Sequence, residues 1–116
     1  MLAVVQYLRA ISMSAYETIK DAILNKRQVV AIYKGYRREM CPHTLGLKGS
    51  KQHCLFYQFG GDSSSGAIIP GSDRNWRCIP VDKLESITVR DGEWYTASNH
   101  SRRQTCVDQV DVEVFA

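Results

Sequence analysis

No apolar run in this chain approaches the roughly 20 residues that a membrane-crossing helix needs. Residues 1–11 are apolar-rich but short, and Arg9 interrupts them. A secretory signal would carry its positive charge ahead of such a run, not inside it. Closely spaced cysteine pairs are also missing. The 4 cysteines stand at 41, 54, 78 and 106, with no C-x-x-C among them, whereas zinc sites usually show ligands paired at short spacing. Each sits in an apolar, strand-like stretch, so they read as small core residues, reduced, in a cytoplasmic protein. Cys41 and His43 could bind a metal only with distant partners, so neither metal nor cofactor is expected. Nothing places a base next to a nucleophile, and Glu39, Asp82 and Glu85 are too scattered to form an acid–base pair; the chain does not read as an enzyme. No lysine–threonine pair follows the glycine- and serine-rich segment, so it is not a P-loop. There is no internal repeat.

With 116 residues, the chain fits one domain and can bury a core without staples. Its net charge of +3 is too small to announce a nucleic-acid binder. The distribution says more. Residues 1–60 carry nine Lys/Arg against three Asp/Glu, and residues 61–116 carry six against nine. A basic patch near the first strands could face an anion, a nucleic acid or the acidic C-terminal strand, against a mixed solvated surface as the plain alternative.

Residues 1–12 form an N-terminal extension with a helical apolar face, and 13–116 the single domain. Met13 stands directly before a helix-start signal, so a natural start there is open. Ser14 and Glu17 make a capping box. Tyr16, Ile19, Ala22 and Ile23 follow at helical spacing, predicting a helix over 15–25 closed by Lys26 and Arg27. The period then changes. Strands are expected over 28–33, over 37–41 ended by Pro42, and over 53–59, with a tight connection at 34–36 and a loop over 44–52. A long loop spans 60–75, mobile or functional. Further strands follow over 76–81, 84–89 and, with one wet face, 110–114. Residues 99–103 are polar. The sum is α+β: a helix on a small, strongly bent sheet or barrel.

Residues 76–84 hold the most informative pattern. In an extended strand Arg77 shares a face with Ile79 and Val81, away from Trp76 and Cys78. An arginine in register with two aliphatics either reaches water along its stem or is held for an anion. Pro80 makes the strand short or puts it at an edge, and Asp82 caps a turn or single helical turn.

Two segments together resemble the WYL domain family: Tyr33…Arg38-Glu39-Met40-Cys41-Pro42-His43, and Arg77-x-Ile79-x-Val81-Asp82-Lys83-Leu84. The likeness covers roughly residues 25–92, with an aromatic strand between the two segments. It implies an Sm-like or SH3-like β-barrel. It also implies a ligand-sensing role in bacterial transcription regulation, with nucleotides, nucleic-acid ends or other anions held in a positively lined groove. The chain departs from the pattern where the Trp-Tyr-Leu triplet would fall, at His53-Cys54-Leu55. It also has no room for a helix-turn-helix before the strands.

The candidate ligand-binding residues are Arg38, Arg77, Tyr33, Tyr57, His43 and Arg37. Guanidinium groups match phosphate or carboxylate and stay charged. Tyrosines can stack bases, and His43 at a strand end could donate to an anion. Strand alternation puts Arg37 on the face opposite Arg38. Ser63 to Ser65 with Gly60, Gly61 and Gly66 could cradle a phosphate, or could simply be loop. The expected partner is therefore a nucleotide or single-stranded nucleic acid. The alternative is a protein partner or a second copy added along exposed edge strands.

Overall fold

The computed structural model describes residues 13–64, 66–69, 71–97 and 104–114. The extension over 1–12 and the polar 99–103 lie outside them. Helix α1 (Ala15–Leu24) is followed by β1 (Gln28–Tyr33), β2 (Tyr36–Lys48), β3 (Lys51–Gly61), β4 (Trp76–Pro80), a 3-10 turn (Val81–Lys83), β5 (Glu85–Arg90) and β6 (Gln109–Glu113). The strands form one six-stranded antiparallel sheet, not closed into a barrel, in the order β4-β3-β2-β1-β5, with β6 also on β2.

Ser14 caps α1, its Oγ accepting from the Glu17 N–H at 3.1 Å. Ile19, Ala22 and Ile23 are buried. The helix ends differently from the charge argument, because no basic residue lies in its last turn. Lys26 adopts φ 49°, its N–H bonds Ile23 O, and the Arg27 N–H bonds Ala22 O at 2.8 Å. That is a Schellman closure with lysine in the place glycine usually takes.

Strand β2 is longer than its sequence suggests. Pro42 does not end it, and most of the expected 44–52 loop is strand, with a turn only at Gly49 and Ser50. Pairing with β1 stops at Met40, and pairing with β6 begins at Thr44. Pro42, which cannot donate, sits at this handover. A register shift against β3 falls between Pro42 and Thr44, the kind of irregularity that bends a strand. Gly46 lets β6 approach: a Cβ at that position would lie 2.0 Å from Gln109 O.

One face of the bent sheet, with α1 over it, holds the core of Val29, Ala31, Met40, Leu45, Cys54, Phe56, Ile79, Val81 and Leu84. The opposite face of β2 and β3 is crossed by residues 94–97, with Tyr95 stacked on Phe59 at 4.4 Å and its N–H on Cys41 Sγ. Cys78 and Cys106 form a disulfide, so the reading of four reduced core cysteines holds only for Cys41 and Cys54, which are free and buried. A disulfide also removes the ground for assigning a reducing compartment. Among the described residues no helix is long and apolar enough to cross a membrane.

Two outcomes follow. Denatured, unreduced protein should take up alkylating agent at Cys41 and Cys54 alone, and at all 4 cysteines after reduction. In the chain-entropy account, closing that loop contributes on the order of 3–4 kcal/mol, which reduction should remove from the urea-unfolding free energy. The second outcome concerns pH. The Tyr16 hydroxyl donates to Asp111 Oδ2 at 2.6 Å, joining α1 to β6. Burial first, then the Asp111 carboxylate, push the Tyr16 pKa from 10.0 up to about 12. The folded state thus prefers the protonated phenol, a preference fully present below pH 10.0 and lost as pH rises towards 12. Unfolding curves across this window should fall more steeply for the native chain than for Tyr16→Phe.

Candidate functional site

Residues opposite one another on neighbouring strands share a face. Ala31 pairs with Arg38 and Tyr33 with Tyr36; Met40 pairs with Gln58, and Phe56 with Arg77. Tyr33, Tyr36, Arg38, Gln58 and Arg77 therefore lie on the core-bearing face, beyond the apolar residues that α1 covers. Arg77 shares this face with Ile79, as alternation predicts.

Arg38 is 2% exposed. Its Nε donates to Tyr33 O at 3.3 Å and its Nη1 to Gln58 Oε1 at 3.2 Å. The guanidinium carbon lies 5.1 Å from the Tyr33 ring centre and 5.6 Å from that of Tyr36. Burial lowers the Arg38 pKa, and the two tyrosines oppose the shift. Arg77 is half-buried. Its Nη1 donates to Arg74 O at 2.9 Å and Trp76 O at 3.1 Å. Its pKa is lowered first by burial and then by the charge of Arg38. Neither takes part in an ion pair among the described residues. Among the described residues, every atom that accepts from either guanidinium is a neutral oxygen.

Arg37 lies on the other face. It faces Glu39 at 3.7 Å, and Glu39 also receives Arg90, whose Nε donates to Gln28 Oε1 at 2.8 Å. Tyr57 and His43 also stand apart from the arginine pair. Tyr57 is fully buried, and its hydroxyl donates to Ser72 O at 2.8 Å. His43 is buried too, with Nδ1 2.9 Å from Cys41 O and Nε2 3.0 Å from the Thr96 hydroxyl. The carbonyl can only accept, so Nδ1 carries a proton and donates to it. The His43 ring lies 4.8 Å from Trp76 and 5.1 Å from Trp94. These side chains form a second small core under the 94–97 strap, not an exposed turn. Among the described residues no cluster of His, Cys, Asp or Glu could hold a metal.

Gly60 and Gly61 belong to the end of β3, and the Gly66 N–H bonds Ser63 O. Ser65 lies outside the described residues. The described parts of 62–75 are held at both ends: the Asp62 N–H bonds Arg37 O at 2.8 Å, and the Gln58 N–H bonds Asn75 O at 2.9 Å.

The candidate set missed Tyr36 and Gln58. A two-residue hairpin at Lys34-Gly35, both with positive φ, sets Tyr33 opposite Tyr36, and the spacing Tyr-Lys-Gly-Tyr carries that signal. No comparable signal marks Gln58. Comparison with known proteins adds no relative: no family model, no curated protein and no solved structure matches the chain.

The two arginines should differ in their effect on stability. Arg38→Met deprives buried Gln58 Oε1 of its donor and should cost about 1–3 kcal/mol. Arg77→Ala, at a half-exposed position whose acceptors are backbone carbonyls, should cost about 1 kcal/mol or less. Urea-unfolding midpoints of the two variants would reverse this order if the assignment of burial were wrong.

Proposed function

We propose that this chain is a non-enzymatic binding module for a phosphate-bearing ligand, a nucleotide or a single-stranded nucleic-acid segment, held on Arg38 and Arg77 with Tyr33 and Tyr36 beside it. The observation that carries this reading is the pair of guanidiniums on one face of the sheet, with no carboxylate on either among the described residues. Placing two like charges together in a partly desolvated site is unfavourable, and an external anion relieves the repulsion. Guanidinium forks suit phosphate oxygens. Tyr36, which is 37% exposed, offers a ring face on which a base could stack. The likeness to WYL domains points the same way, and so does reading the bent sheet as an opened Sm-like or SH3-like barrel. A sensing role in regulation would follow, with any DNA-reading part supplied by another segment or partner.

Fluorescence anisotropy with a labelled oligothymidylate, competed by mononucleotides or by inorganic phosphate, tests this reading. Arg77→Ala should weaken binding about 10–100-fold, as expected for losing a charge-assisted phosphate contact, and should reduce the salt slope by about one. Competition by inorganic phosphate alone would assign the site to the phosphate group, and competition only by nucleotides would assign it to phosphate plus base. Native protein that binds none of these probes would reject the reading.

A second reading, assembly through edge strands, draws on β4 and β5, which end the sheet, and on Val110 of β6, 49% exposed. A concentration-dependent mass in sedimentation would favour it.

A further inference from the structure

Gln58 is 0% exposed, yet its side chain is polar. Its Oε1 accepts from Arg38 Nη1 at 3.2 Å, while its Nε2 donates to Gly60 O at 2.9 Å and Asp62 O at 2.8 Å. The amide can point only one way. Turning it over would set NH2 against a guanidinium and oxygen against two carbonyls. Gly61 makes this grip possible. With φ +79° it turns the chain so that the carbonyls on either side both reach the amide, and a Cβ there would lie 2.3 Å from Arg37 O.

A glutamate at this position would also accept from Arg38, and it would form an ion pair. An amide gives the same acceptor geometry without cancelling the charge. We infer that Gln58 is the positioning residue of the anion site: it orients Arg38 while leaving its positive charge available to ligand, and it links that arginine to the start of the 62–75 loop. The far end of the same loop supplies the Arg74 carbonyl that holds Arg77. The Gln58 N–H bonds Asn75 O beside it. Gln58 thus joins Arg38 to the start of the loop through its side chain and meets the far end through its backbone N–H. This inference rests on the proposed anion-binding function and adds a residue that would not itself contact the ligand.

The test uses Gln58→Glu and Gln58→Met in the full chain, with the labelled oligothymidylate as probe. At neutral pH the glutamate should pair with Arg38, weaken binding about 10–100-fold and lower the salt slope by about one. Acidification should restore binding as the carboxyl protonates, while the native protein stays flat over the same range. The charged and titratable groups around position 58 are Arg38 on β2, Arg77 on β4, Asp62 in the loop, and Tyr33 and Tyr36 beyond Arg38. Asp62 is the one carboxylate among these, and it is common to both proteins. Gln58→Met keeps the charge but not the orientation. It should weaken binding about tenfold, the lower end expected for one misplaced charge-assisted contact, with the native salt slope and no recovery in acid. If Gln58→Glu does not fold, as judged by its melting curve, Gln58→Met decides alone, and native affinity in that variant overturns the inference. Native affinity in Gln58→Glu at neutral pH overturns it as well, while leaving the arginine site standing. Native protein that does not bind the probe overturns both.

Discussion

Strand β2 has two edges and three partner strands. One edge pairs with β3 from Arg38 to Lys48, while the other is shared in succession by β1 and β6. A flat strand of 13 residues could serve both partners only by leaving them in one plane. The register shift at Pro42–Thr44 is of the kind that bends a strand, and β6 returns towards α1, where Tyr16 and Lys20 meet Asp111. The closed side of the core depends on this bend. So does the division of the inner face into a part that α1 covers and a part, carrying Tyr33, Tyr36, Arg38 and Arg77, that lies beyond it.

The division sets the electrostatics. In the covered part the residues are aliphatic or aromatic, and transfer from water favours their burial. Beyond it, the same face carries two cations, Arg38 and Arg77. Their hydrogen-bond needs are met by Tyr33 O, Gln58 Oε1, Arg74 O and Trp76 O. Neutral acceptors satisfy a guanidinium without discharging it. The opposite face shows the contrast, because there Arg37 and Arg90 converge on the carboxylate of Glu39. The same side chain thus has two kinds of surroundings in one sheet, an ion-paired kind and a kind left cationic.

The second face has its own constraint. The 94–97 strap, the His43–Trp76–Trp94 contacts and the Cys78–Cys106 bridge hold Trp94, Thr96 and Cys106 against β2 and β4. Tyr57 and His43 are enclosed by this layer, which is why two residues suited to ligand contact do not join the arginines.

Local pattern alone determined the helix, its Ser14 cap and the β1–β2 hairpin. Each follows from side-chain period or turn chemistry within a few residues. The pattern left a turn or a single helical turn open after Pro80, and the face of the last strand expected to be buried leaves Val110 exposed. Alternation also placed Arg37 and Arg38 on opposite faces and set Arg77 beside Ile79, because a strand's period of two does not depend on its partners. Tertiary structure decided the rest. The run of β2 through Pro42 depends on which strand lies alongside at that point. The pairing of Cys78 with Cys106 joins positions 28 apart in sequence. The loss of Tyr57 and His43 to the strap, and the part played by Gln58, arise from chain segments meeting across the sheet. Burial and hydrogen-bond partners at such meetings are properties of the assembled surface, and no short stretch of residues carries them.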